Sequence, residues 1–574
     1  MKRLFPYITP FKNKIVGGLI IKFIGTVIEL FLPAILTYML ESVIVTEDVS
    51  RIVFFGILML VCSSVTWWLN VVANRRASIV SADIAKNVRR DLFSKILYLS
   101  MRDTDRFTIP SLESRVCTDT YNFHHFINMM QRIGVRAPIM LLGGMMIAFF
   151  LDWFLALVML ATLPFVFLLI LFIMKRGVPL YGKVQGSVDG MVRVVREDAQ
   201  GIRVIKALSK EEYENRRFEE KNEGLSRAER TASIVMGIPH PIMTLVMNLG
   251  MCAVILISAM RVSQNASSAA TVIAFMQYFT HISMSMLALS RIFVSYSKCS
   301  ASARRIAEVL DTEDMLKIIP DENIEKSDTD PHISFKNVSF SYLGKKNNLK
   351  NINFDLQKGA SLGIIGATGS GKSTLIKLLM RFYDVTEGEI SISGRGIYSY
   401  TREELTTMFG VALQNDFAFS DTVKENIKFG RNISDEDVVW AARVAQANDY
   451  ILTKEGGYDY QLTSGGTNLS GGQRQRLFIA RALASRPEIL ILDDSSSALD
   501  YKTDAALRAA LKEELSETTV ITVAQRVSSV MSCDLILVLE DGEVIGMGTH
   551  EQLIASCPEY KEISDSQMGG AFVE

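Results

Sequence analysis

Charge of one sign is the first thing this sequence lacks. Its 61 Lys and Arg stand against 62 Asp and Glu, a net charge of -1. A chain without a basic excess has no bulk attraction for a nucleic-acid backbone, and no nucleic-acid partner is expected. Cysteine is scarce and scattered: Cys62, Cys117, Cys252, Cys299, Cys533 and Cys557, with no C-x-x-C or other metal spacing. Reduced, structural thiols are expected, not a disulfide framework or a zinc site. A cleavage site is missing too. Lys2, Arg3, Lys12 and Lys14 precede an apolar run from Ile15 to Val45 that is too long for a signal segment and reads as a retained membrane helix.

What the first 300 residues hold in quantity is uncharged, apolar sequence. A membrane helix needs about 20 mostly apolar residues, and six candidate spans emerge, at 15–43, 51–73, 133–151, 153–174, 235–260 and 268–298. Trp153 to Met174 has no charge on any face, which excludes a soluble amphipathic bundle helix. Spans two and three, and again four and five, are separated by charged, helix-rich intervals of about 60 residues, long enough for paired helices projecting roughly 40 Å beyond the bilayer. The other connections, at Thr46-Glu-Asp48, Asp152 and Ser263-Gln-Asn-Ala266, are short. Arg75, Arg76, Lys175 and Arg176 flank the long intervals, while the short loops have only Arg51 and Arg261 at their edges, so the N-terminus, both excursions and everything after 298 are expected in the cytoplasm.

Polar residues interrupt the spans. Lys22 and Glu29, seven apart on one face, either pair with other spans or help bind a substrate. His240, between Pro239 and Pro241, reads as a kink rather than a proton relay. Phe275, Met276, Gln277, Tyr278, His281, Met284 and Met286 in the sixth span either line an adaptable cavity or pack against other helices. The Asn265-Ala-Ser267 sequon reads as incidental. The chain divides into a membrane region, 1–310, a polar linker, 311–331, containing Asp311, Glu313, Asp314, Pro320, Asp321 and Glu322, and a second domain, 332–574.

That second domain is organised around Gly366-Ala-Thr-Gly-Ser-Gly-Lys-Ser373, which fits the phosphate-loop pattern G-x-x-x-x-G-K-[ST]. The loop lies between an apolar strand, Ala360 to Ile365, and a helical run from Thr374 to Phe382, so its N–H groups face an anion. Lys372 supplies a point charge near the outer phosphates and Ser373 a hydroxyl for Mg²⁺. Thr368, Gly369, Ser370, Gly371 and Thr374 complete the candidate nucleotide-binding loop. Ile489-Leu-Ile-Leu492 followed by Asp493 is an apolar strand ending in a carboxylate, a Walker B pattern, with Asp493 a candidate Mg²⁺ ligand. Leu469-Ser-Gly-Gly-Gln473 places small residues ahead of a helix, so that Ser470, Gly471, Gly472 and Gln473 form a second anion site.

Together these motifs make the chain resemble a half-transporter of the ATP-binding cassette exporter family over nearly its whole length. The resemblance implies a helical transmembrane domain fused to an α/β P-loop domain, ATP and Mg²⁺ as ligands, an amphipathic substrate (drug, lipid or peptide) and a multi-pass place in a bilayer, with the external loops too short for an extracellular domain, as in a bacterial inner membrane. It implies that Tyr342 stacks on adenine and that Gln414 contacts Mg²⁺ and reports to the membrane domain. It further implies that Asp500, in Ser497-Ala-Leu-Asp500, crosses a dimer interface and that Leu469–Gln473 caps the ATP held by another subunit. Short helices at the excursion tips, around Arg102–Arg115 and Gly201–Lys206, are implied to dock on the cassettes.

Two departures stand out. After the Walker B aspartate the family has Glu, which polarises the attacking water, and this chain has Asp494, one methylene shorter. A displacement of roughly 1 Å at such a centre costs about 10²-fold in rate. Where the family has His, this chain has Gln525, which donates a hydrogen bond but cannot become cationic. Thr463-Ser-Gly-Gly466 also stands where exporters often have a sensing Glu. An impaired set (Asp494, Gln525) beside an intact signature predicts a heterodimer with a second half-transporter. The alternatives are a slow homodimer and a non-transporting regulatory subunit.

Overall fold

The computed structural model describes residues 2–172, 175–176, 178–264, 268–313, 318–319, 330–342, 344 and 346–568. The sequon, the linker residues Asp314, Pro320, Asp321 and Glu322, and the side chains of Pro239 and His240 lie outside the described residues. The chain forms two compact units, Met1–Tyr98 with Phe107–Thr312, and Leu99–Arg106 with Glu313–Glu574.

The first unit is helical: α1 (Lys12–Tyr38), α2 (Val49–Leu97), α3 (Met101–Phe107, whose residues to Arg106 group with the second unit), α4 (Thr120–Arg132), α5 (Arg136–Leu151), α6 (Trp153–Phe172), α7 (Val178–Ala207), α8 (Glu211–Gly237), α9 (Pro239–Ser263) and α10 (Ala269–Leu310). Among the described residues five helical stretches are long and apolar enough to cross a membrane, and a sixth, Trp153–Leu169, is apolar but shorter. That shorter stretch occupies the expected fourth span, of which 173 and 174 lie outside the described residues. Phe54, Leu60, Trp67, Trp68, Leu142 and Phe150 are all more than half exposed. An apolar surface of this extent is stable facing lipid, not water.

The second span and the outgoing arm of the first excursion are one helix, because α2 runs unbroken for 49 residues, about 73 Å at ~1.5 Å per residue. The first tip is α3, at the expected place. The second tip, which no turn signal marked, is Leu208–Lys210, between α7 and α8, and Gly201–Lys206 lies at the end of α7. Ser209 turns the chain there with a positive φ of 49°.

Both charged residues that interrupt the first span are paired. Lys22 donates to Asn70 (2.6 Å) and Asn74 (3.3 Å) of α2, and Glu29 pairs with Arg136 of α5 at 2.6 Å. In α10, Phe275, Tyr278 and Met286 are buried, with the Tyr278 hydroxyl donating to the Leu30 carbonyl at 2.8 Å, whereas Met284 is 65% exposed. Packing thus accounts for the first three, not a cavity lining.

Asp152 makes the turn between α5 and α6. Its Oδ1 accepts from the backbone N–H groups of Phe154 (3.0 Å) and Leu155 (3.4 Å), and its Oδ2 pairs with Arg261 of α9 at 3.1 Å. Asp152→Ala removes the cap and the ion pair, whereas Asp152→Asn keeps a good cap, worth about 1 kcal/mol. In lipid nanodiscs, the alanine variant is expected to melt at a clearly lower temperature than the asparagine variant, and both below the unaltered chain.

The second unit is built on two sheets. One is antiparallel, in the order β2-β1-β4-β5, from β1 (Ile333–Phe340), β2 (Leu349–Leu356), β4 (Glu387–Ile392) and β5 (Arg395–Gly396). The other runs β10-β9-β3-β8-β7-β6, from β3 (Ser361–Gly366), β6 (Phe409–Ala412), β7 (Ile489–Asp493), β8 (Thr519–Val523), β9 (Leu535–Glu540) and β10 (Glu543–Gly548). Strands β9, β3, β8, β7 and β6 are mutually parallel, and β10 is antiparallel at the edge. Every residue of β7 is buried, as a continuous apolar run in a covered parallel sheet requires. Within this unit the Tyr383 hydroxyl donates to Asp105 of the tip segment at 2.5 Å.

Candidate functional site

Four parallel strands end at one edge, and the candidate residues follow directly from their carboxyl ends, where open α/β sheets bind ligands. The phosphate loop follows β3, Gln414 follows β6, Asp493 ends β7 and Gln525 follows β8. The register pairs Asp493 with Val523 and Ile364 with Val523, so the loops leave the sheet at one level.

The loop geometry needs glycine at two points. Gly371 has φ 106°, and a Cβ there would stand 2.6 Å from Leu349 Cδ2. At Gly366 a Cβ would stand 2.1 Å from the Leu539 carbonyl oxygen. The turn leads into α11 (Lys372–Leu379), whose free N–H groups face the cavity. Lys372 Nζ folds back to donate to the carbonyls of Gly366 and Ala367, both at 2.8 Å. These neutral acceptors are the kind that an anion would displace.

A cavity of about 210 Å³ lies here, lined by Thr368, Gly369, Gly371, Lys372, Ser373, Thr374, Gln414, Asp493, Asp494 and Gln525, together with Asn348, Val523 and Ala524. Ser370 is buried beside it, its Oγ without a partner among the described residues. Ser373 Oγ stands 3.4 Å from Asp493 Oδ1. Burial pushes the Asp493 carboxyl above its ordinary range, and neighbouring Asp494 adds to this against the Ser373 hydrogen bond and the charge of Lys372. Burial likewise lowers Lys372.

Asp494 is the point of convergence. Its Oδ2 accepts from Gln414 Nε2 at 3.2 Å and from Gln525 Nε2 at 3.3 Å. Burial raises it, opposed by the Gln414 hydrogen bond and the charges of Lys372 and Arg526. Both residues that depart from the family pattern therefore touch each other.

Tyr342 flanks this site. Its hydroxyl donates to Thr374 Oγ1 at 3.3 Å, and its ring meets Tyr383 edge-on at 5.1 Å. The signature lies elsewhere on the same unit: none of Ser470, Gly471, Gly472 and Gln473 is among the described residues that line the cavity. Ser470 caps α12 (Gly471–Leu483) in a reciprocal box with Gln473, so its backbone N–H and hydroxyl are oriented at the helix start. Asp500 caps α13 (Tyr501–Glu514) through the Thr503 N–H at 2.9 Å and is exposed; that backbone hydrogen bond holds its carboxyl low.

Three contributors carry no motif. Asn348, in the β1–β2 connection, lines the cavity and accepts from the Tyr342 N–H at 3.1 Å. Gln475 donates to Ser497 Oγ (3.0 Å) and accepts from the Ala498 N–H (2.9 Å), tying α12 to the turn after Asp494. Gln567 reaches the loop of Gln525 from the far end of the chain.

Residues 15–286 match the ABC transporter transmembrane region and residues 349–497 match the ABC transporter domain. An uncharacterized ABC transporter ATP-binding protein of Mycobacterium tuberculosis is 32% identical over 99% of this chain and 98% of its own length. An ATP-dependent lipid A-core flippase of Mannheimia succiniciproducens is 29% identical over 99% of this chain and 97% of its own. A solved structure of a bacterial Atm1-family ABC exporter with ATP bound superposes with a TM-score of 0.83 at 22% identity, over 97% of this chain and 98% of that one, and shows the same fold.

A carboxyl whose folded pKa is raised costs stability while it is ionised, and that cost disappears as pH falls through the shifted value. Asp493→Asn is therefore expected to raise the nucleotide-free melting midpoint of the second unit at about pH 7.5, with the gain shrinking toward about pH 4. Differential scanning fluorimetry across that range checks it.

Proposed function

The chain belongs to the ABC transporter family and is an ATPase-coupled membrane transporter, and on that footing we propose that it is one subunit of a two-chain exporter whose own ATP site grips nucleotide but hydrolyses it poorly. The observation that carries this reading is the placement of two neutral amides, Gln414 and Gln525, on the single carboxylate oxygen of Asp494. A carboxylate one methylene short, with one oxygen already engaged by two donors, reaches an attacking water poorly. Gln525 donates to a γ-phosphate without supplying a positive charge.

The donor set fits Mg²⁺. Ser373 Oγ and the buried Asp493 carboxylate stand close enough to share a cation, directly or through water, and Gln414 lies beside them. When bound, the ion would neutralise charge on the outer phosphates. The loop N–H groups and Lys372 hold the phosphates, and Tyr342 presents an aromatic face for the base.

The exposed, capped start of α12 lies outside this chain's own cavity, as a motif that completes another chain's site would. The partner is a second half-transporter with Glu and His at the positions of Asp494 and Gln525, and its site is the hydrolytic one. The substrate is amphipathic, in keeping with a lipid flippase among the relatives. Closure of the two cassettes moves the long helices, with Asp105 and Tyr383 as one point of transmission.

Co-expression with a neighbouring half-transporter gene, purification of the pair and ATPase assays on its variants test this. Asp494→Ala is expected to lower turnover only modestly and Ser470→Ala roughly 10²-fold, the cost of losing an oriented donor. Equal losses, or an isolated chain that hydrolyses briskly and pumps as a homodimer, would contradict the reading.

A further inference from the structure

The last described helix, α14 (Pro558–Met568), ends beside the nucleotide site. Gln567 Oε1 accepts from the Val527 N–H at 2.8 Å, and Gln567 Nε2 donates to the Gln525 carbonyl at 2.9 Å. One side-chain amide thus holds both backbone ends of the three-residue segment Gln525-Arg-Val527. The middle residue of that segment leans the other way: Arg526 donates to the Ser497 carbonyl at 3.4 Å and covers the Tyr501 ring at 5.4 Å. A cavity of about 670 Å³ separates these groups, lined by Gln567, Ser496, Ser497 and Tyr501 among others.

We infer that Gln567 is a positioning residue for the nucleotide site, fixing the backbone from which Gln525 reaches Asp494 and the γ-phosphate position. The amide matches the segment's own pattern, since a backbone N–H and a backbone carbonyl two residues apart demand one acceptor and one donor in a plane. Leucine or lysine would offer half of that or none. A helix that served only to cover the sheet would need no such match, and the core it covers, Val527, Val530 and Tyr560, is apolar. The inference rests on the assignment of Gln525 to the phosphate end of the site.

The test uses the full chain in lipid nanodiscs, with Mg-ATP and Mg-ADP affinities measured by calorimetry. Gln567→Ala is expected to weaken ATP by roughly threefold to tenfold, the net worth of about one hydrogen bond, while ADP, which has no γ-phosphate, stays within about twofold. Gln567→Glu, which still accepts from Val527 but cannot donate to Gln525 when ionised, is expected to fall between. In hydrogen exchange the Val527 amide is expected to lose protection in the alanine variant. Equal losses for ATP and ADP, or none for either, would overturn the inference. Unchanged affinity for both nucleotides in Lys372→Ala would instead overturn the assignment of the site itself.

Discussion

The second unit depends on the parallel pairing of β3, β8, β7 and β6. Register alone decides that Gly366, Asp493, Val523 and Ala412 finish at one edge of the sheet. Loops leaving that edge have no freedom to scatter, so a glycine turn, two carboxylates and two amides converge on about 210 Å³. Every residue of β7 is buried, and burial is what raises Asp493 and lowers Lys372. The same desolvation that strengthens a phosphate's attraction makes the charges lining the site costly.

Within that edge, Asp494 is a hub. Its side chain meets Gln414 and Gln525, and its carbonyl accepts from Ser497 Oγ at 2.9 Å, which in turn receives Gln475 from the signature helix. The loops of Gln414 and Gln525 and the turn at Ser497 are thereby joined by hydrogen bonds to Asp494. Asp494 and Gln525 meet in one contact, the Gln525 amide donating to the Asp494 carboxylate.

Much of this was legible in the residues. The phosphate loop, the Walker B strand and the signature are local patterns with fixed spacing, and a strand–loop–helix setting made them decisive. Apolar runs such as Trp153–Phe172 showed the membrane region because no aqueous fold tolerates them. What stayed hidden depends on long-range approach. Nothing near Gln567 marks it, because its partners lie 42 and 40 residues away in sequence. Asn348 is one polar residue in a hairpin. Lys22 and Glu29 left two readings open, and only the placement of Asn70, Asn74 and Arg136 decided for pairing. The second excursion's tip had no turn signal in the sequence, because Ser209, not glycine, makes its turn.

The central claim is that Asp494 and Gln525 act as one unit that holds ATP without cutting it. The most direct measurement is single-turnover hydrolysis of Mg-ATP by the purified chain carrying Asp494→Glu, Gln525→His, or both. The double variant is expected to gain at least about 10²-fold over the unaltered chain, the lower reach of a restored base, with each single change contributing far less than its share. A single Asp494→Glu change that reaches the double variant's rate, or an unaltered chain that already hydrolyses as fast, would contradict the claim.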